Sequence, residues 1–162
     1  MKIKGLTITT IFVMLVGVCG VAQSADQDVL QKIELERKYS REQIKELMST
    51  NLKLNEEEGA KFWPVYESYQ DDLKLVNDKV LALIVEYADA YRGEGLKDEQ
   101  ALSLVKQYLD AEEDKVQLKK NYFKKMKKTL PGKKMAAFYQ LDNRIDALIK
   151  VGHASQIPLI EP

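Results

Sequence analysis

Between Lys115 and Lys134 the chain carries nine lysines and no acidic residue, with Tyr122, Phe123 and Met126 set among them. Cations interleaved with apolar side chains can attract an anionic surface by charge and then hold it by apolar contact. Three readings of this segment stand side by side. It can neutralise acidic helices of its own domain while favouring its own C-terminal helix dipole. It can bind acidic partners or unfolded chains, or it can lie on a membrane surface. A second cluster is aromatic. Phe62, Tyr66 and Tyr69 share one helical face beside Trp63, the only tryptophan. Core packing around Pro64 is one use of such a cluster, and a partner-binding anchor through Trp63 and Tyr66 is the other.

Other chemistry has few parts to work with. The single histidine, His153, stands beside a C-terminal tail where a preorganised base would be poorly held. The paired acids Glu56–Glu58, Asp71–Asp72 and Glu112–Asp114 read as helix caps and solvated faces, without a pocket to split their pKa values. A metal-responsive protein would need His-x-x-x-His or Glu-x-x-His on one helix face, and neither pattern occurs. The sequence therefore predicts a non-enzymatic protein without cofactor or metal.

These residues follow an N-terminal segment with its own logic. Lys2 and Lys4 precede an apolar run from Leu6 to Val18, and small residues follow it. That run suits a secretory signal and is short for a membrane span, which predicts a signal peptide over 1–24 and export to the periplasm. Cleavage would remove Cys19, the only cysteine, and with it thiol and disulfide chemistry. It would also remove two of 25 basic residues and none of 25 acids, leaving a slightly acidic chain unsuited to nucleic acid.

The rest is rich in Lys, Glu, Leu, Ala and Gln and reads as all-α. Helical spacing of Val29, Ile33, Ile44, Leu47 and Met48 predicts a first helical segment over 27–51, with a capping-box pattern at Ser40 and Gln43. A second starts at Leu54-Asn55-Glu56-Glu57-Glu58, where Asn55 can cap free amides and the acids face the positive end of the dipole. Pro64 predicts a kink or short break over 60–64. An apolar stripe then runs through Leu73, Val76, Val80, Leu83, Ile84, Tyr87 and Tyr91 to a Gly-containing loop at 93–95. A third helix opens with Asp98 or its neighbour as cap, its stripe read as Leu102, Val105, Leu109, Val116, Phe123, Met126 and Leu130. Two long helices joined by a short loop predict an antiparallel hairpin. Pro131 suits the first turn of a fourth helix reaching about Val151, and 153–162 reads as an extended tail after a helical domain over 25–152.

The starts Leu54–Glu58 and Leu96–Gln100 resemble the LTxxQ motif of Spy/CpxP-type periplasmic proteins. Asn55 and Lys97 stand where the motif has threonine, and Glu58 stands for glutamine. The segments Phe62-Trp-Pro-Val-Tyr66 and Gln156-Ile-Pro-Leu159 also look like those of a widespread set of uncharacterised exported bacterial proteins. The Spy/CpxP resemblance implies a curved helical homodimer acting as an ATP-independent chaperone or as a modulator of the envelope stress response. Its binding face would comprise Lys119, Lys120, Lys124, Lys127 and Lys128 with Tyr122 and Phe123, and unfolded protein clients would be its partners. Two alternatives remain beside it: an accessory or sensor subunit recognising one envelope partner, and a metal-responsive periplasmic protein.

Overall fold

Every element of the computed structural model, which describes residues 40–93, 95–155 and 157–160, is helical or irregular, with no strand among the described residues. The expected signal peptide, 1–24, and the first part of the expected first helix, 27–39, lie outside the described residues. The chain divides into two units, Met1–Gln43 and Ile44–Pro162. Of the first, only the helical residues 40–43 are described. Helix α1 is described over 40–52, followed by α2 (Glu56–Arg92), α3 (Asp98–Met126) and α4 (Gly132–Ala154).

The start of α2 is the one the sequence announces. Asn55 Oδ1 accepts the Glu58 amide at 2.8 Å and Glu58 Oε2 accepts the Asn55 amide at 3.0 Å, a reciprocal capping box. The expected break at Pro64 is absent, because α2 runs through it as one helix. Phe62, Tyr66 and Tyr69 are buried on both sides of the proline, and their rings meet Phe138 of α4. Packing on that face offsets the cost of one missing backbone donor. The left-handed residue of the loop between α2 and α3 is Gly95, at φ +87°, and its amide reaches the Ala90 carbonyl.

Lys97, the neighbour of Asp98, occupies the N-cap of α3, without a side-chain capping bond, and Asp98 falls inside the first turn. One further boundary differs from expectation. Helix α4 continues to Ala154, so His153 belongs to the helix and not to the tail. Beyond it, the Pro158 carbonyl accepts the Tyr87 hydroxyl at 2.6 Å.

Cross-helix contacts fix the directions. Lys79 reaches Asp114, while seven residues earlier on α2 Asp72 meets Tyr122, eight residues later on α3, so α2 and α3 run antiparallel. Helix α4 reverses again along α3, through Lys150–Glu112, Lys115–Asp146 and Lys119–Asp142. The core lies at one end of this arrangement. Met48 and Leu52 of α1 join Phe62, Tyr66, Tyr69, Tyr122, Met126, Leu130, Met135 and Phe138.

The expected apolar stripe of α3 holds at its C-terminal end, where Met126 and Leu130 are buried, and differs in phase before that. Leu104, Ala111, Tyr122 and Met126 are buried, whereas Leu102, Val105, Leu109, Val116 and Phe123 are all exposed. The reading from sequence favoured the larger aliphatic residues. The structure buries Leu104, the small Ala111 and the longer Tyr122 and Met126 in their place.

Candidate binding surface

The lysine-rich stretch separates into an inner set and an outer set. Lys115 and Lys119 lie one turn apart on the side of α3 that faces α4, each only 12% exposed. Lys119 Nζ lies 2.9 Å from Asp142 Oδ2 and 3.6 Å from Asp146 Oδ2, and Lys115 pairs with Asp146. Asp142, itself buried, also accepts the Tyr69 hydroxyl at 3.1 Å on both oxygens. Burial works against the charge on Asp146, but Lys115 and then Lys119 hold its carboxyl below the usual range. Burial, with the Asp142 charge behind it, pushes the Tyr69 hydroxyl far above its ordinary range. Inner lysines thus satisfy one buried and one half-buried acid, which is the intramolecular use weighed from sequence.

Three of the residues singled out from sequence belong to this interior. Lys119 is committed to Asp142, and Tyr122 is buried with its hydroxyl donating to Asp72 at 2.6 Å. Burial first, then the bond to Asp72, pushes the Tyr122 hydroxyl up to about 12. Tyr66 is fully buried between the rings of Phe62, Trp63 and Phe138. None of the three offers a free surface in this fold. Trp63 is half-buried at the rim of the same ring cluster, with the Lys45 ammonium 5.3 Å from its ring centroid.

The outer set sits where α3 turns into α4. Met126 and Leu130 are buried and anchor this corner, and Thr129 Oγ1 donates to the Met126 carbonyl. Lys120, Lys124, Lys127, Lys128 and Lys133 project from it, all exposed and none within ion-pair distance of a carboxylate among the described residues. Lys125 stands over the Tyr122 ring at 4.3 Å. Phe123, 47% exposed, lies among them. By contrast Lys45, Lys61, Lys74, Lys79, Lys106 and Lys150 all meet an acid. Lys134, at the start of α4, is also taken. It pairs with Glu58 and donates to the Lys53 carbonyl, and with the Asn55 amide it holds the Glu58 carboxyl below its usual range.

What remains at the corner is a patch of uncompensated positive charge beside the exposed rings of Phe123 and Tyr139. It can hold carboxylate-rich, partly apolar chain by charge and contact. Lys125 and Lys133 were not singled out from sequence. Position alone places them here, Lys133 by the reversal of α4 after Pro131. Among the described residues no group of three or more His, Cys, Asp or Glu side chains is arranged to hold a metal ion. No described helix is long and apolar enough to cross a membrane. No family model, no curated protein and no solved structure matches the chain.

Proposed function

We propose that this chain is an exported, non-enzymatic helical binding protein that works in the periplasm as an ATP-independent holdase of the Spy/CpxP kind. The observation that carries the reading is the corner between α3 and α4. There Lys120, Lys124, Lys127, Lys128 and Lys133 have no carboxylate partner and surround the exposed Phe123. Charge draws in an acidic or unfolded segment, and Phe123 adds apolar contact once water is displaced. The surface expected from sequence is thereby reduced to Lys120, Phe123, Lys124, Lys127 and Lys128, with Trp63 as a separate rim residue.

The test is aggregation of an unfolding client at a stoichiometric amount of the purified protein, without ATP. Light scattering should fall, and the protection should weaken as salt rises through the range where the Debye length shrinks to about 3 Å. The triple substitution Lys124→Glu, Lys127→Glu, Lys128→Glu should reduce protection about fivefold while leaving far-UV circular dichroism unchanged. Scattering that is unaffected by the protein at every salt concentration would sink the holdase reading. Loss of protection together with one dominant partner recovered from envelope extract would favour a dedicated accessory subunit.

A further inference from the structure

The rings of Phe123 on α3 and Tyr139 on α4 are 47% and 44% exposed. Both line one crevice between the two helices, with the buried Met126 and Met135 behind them. The crevice has room for about one water, so an incoming side chain would rest on the rings at its mouth. Methionines adapt to irregular apolar contacts, and ring-on-ring packing adds to what buried area alone contributes. The mouth therefore suits one large apolar side chain, and an aromatic one best.

The two sides of Phe123 differ in charge. At about 100° per residue, Lys119 and Met126 fall on its inner side, and both are turned into the fold. Lys120 and Lys127 fall on its outer side, one turn before and one turn after it, and both are exposed. The Lys127 amide donates to the Phe123 carbonyl at 3.0 Å, so the helical turn that sets this row is closed. Neither lysine has a carboxylate partner among the described residues. Lys124 and Lys128 lie further round the helix, roughly 100° and 140° from the ring. On α4, the residues one turn either side of Tyr139 are Ala136 and Asn143, exposed and neutral. The charges nearest the mouth are thus two cations about 10.5 Å apart along α3, with the ring between them.

An extended chain rises about 3.3 Å per residue and shows alternate side chains on one face. Residues two before and two after a central side chain share its face and lie about 13 Å apart, a span that flexible lysine stems cover. The immediate neighbours point away. We infer that the corner reads a short linear motif in the chains it holds: one aromatic side chain with an acidic residue two positions before it and two after it. The aromatic side chain rests between Phe123 and Tyr139, and the acids meet Lys120 and Lys127. Lys124, Lys128 and Lys133 draw the segment in from a distance without setting its spacing. The motif rests on the holdase reading and gives it a preferred client segment.

The test is fluorescence anisotropy of the purified full chain with labelled peptides of one composition, each set in a Gly/Ser sequence. Asp-Ser-Phe-Ser-Asp should bind about fivefold more tightly than Ser-Asp-Phe-Asp-Ser or Asp-Asp-Ser-Ser-Phe, in which the acids cannot flank the ring on its own face. Replacing Phe by Ser in the first peptide should weaken it about tenfold, and Tyr139→Ala should remove most of that preference. Lys120→Gln and Lys127→Gln should each bring the first two peptides to within about twofold of one another, whereas Lys124→Gln should weaken all three alike. All these positions are exposed, and unchanged circular dichroism shows that each variant is folded. Protection of an aggregating client is followed alongside by light scattering. Protection with the three peptides bound equally, or a spacing preference that survives both Lys120→Gln and Lys127→Gln, would overturn the motif and leave the holdase reading standing. Neither protection nor peptide binding would overturn both.

Discussion

The two ends of the helical unit are built differently although α2 and α3 run through both. At the end where α1 meets α2 and α3 turns into α4, the buried cluster draws on four helices and the α3–α4 turn, and five of its ten members are aromatic. At the other end, around the loop between α2 and α3, α2 has no buried residue after Val76 and α4 has none after Asp142. Before Ala111, α3 buries only Leu104. Large apolar residues are plentiful there, but Leu81, Val85, Tyr91, Leu102, Val105 and Leu148 all face outward. The difference lies in the number of neighbours. A fourth element, α1, caps the first end and encloses rings that three helices alone leave open to water. Stability should therefore be concentrated at that end and local opening at the other.

Phe138→Ala gives the largest expected effect. Its ring lies within 5.5–6.2 Å, centroid to centroid, of Phe62, Tyr66 and Tyr69, and its removal opens a cavity that those rigid rings cannot fill. A loss of about 3–5 kcal/mol in urea unfolding follows from the lost transfer energy and the cavity left behind. A loss below about 1 kcal/mol would mean that the ring cluster relaxes freely, and the contrast between the ends would fail.

A smaller effect comes from the polar layer just above those rings. Tyr122→Phe deletes the bond to Asp72 and should cost about 1 kcal/mol near neutral pH. Its sharper readout is alkaline. The native Tyr122 hydroxyl is raised to about 12 from 10.0, so the folded state holds that proton more tightly than the unfolded chain does. The contribution is complete below pH 10 and is lost as pH climbs toward 12. Tyr69, raised in the same direction by burial and by Asp142, adds to the same limb. Unfolding titrations above pH 10 should show a shallower loss of stability in Tyr122→Phe than in the unsubstituted protein. Equal slopes would place the hydroxyl in water in both states.

Sequence made some of this legible and concealed the rest for identifiable reasons. The capping box at Asn55 and Glu58 could be read because all its partners lie within three residues. The continuity of α2 through Pro64 could not, since the ring that packs on its aromatic face, Phe138, comes from α4, more than seventy residues away. Lys119 looked like its lysine neighbours because Asp142, which binds it, sits on another helix. The phase of α3 was misread for a related reason. Leu102, Leu109 and Val116 form a cleaner apolar repeat than the seam that is buried, and local pattern does not say which of two seams meets α2. The basic corner, in contrast, was visible as a run of lysines without acids. Only the fold could divide that run into the lysines it uses and those it leaves free.

The smallest expected effect tests the other end of the same helix. Leu148 lies ten residues after Phe138 on α4 and is 62% exposed. A leucine of this kind keeps most of its surface in water whether the chain is folded or not, so Leu148→Ala removes little transfer energy and opens no cavity. The change in unfolding free energy should stay within about 0.5 kcal/mol. Because both substitutions lie on α4 and shorten a large apolar side chain to alanine, helix propensity contributes little to their difference. What separates them is the set of neighbours each side chain meets. A loss above about 1.5 kcal/mol at Leu148 would show that this end is enclosed by something further, and the two ends would then differ in partner and not in packing.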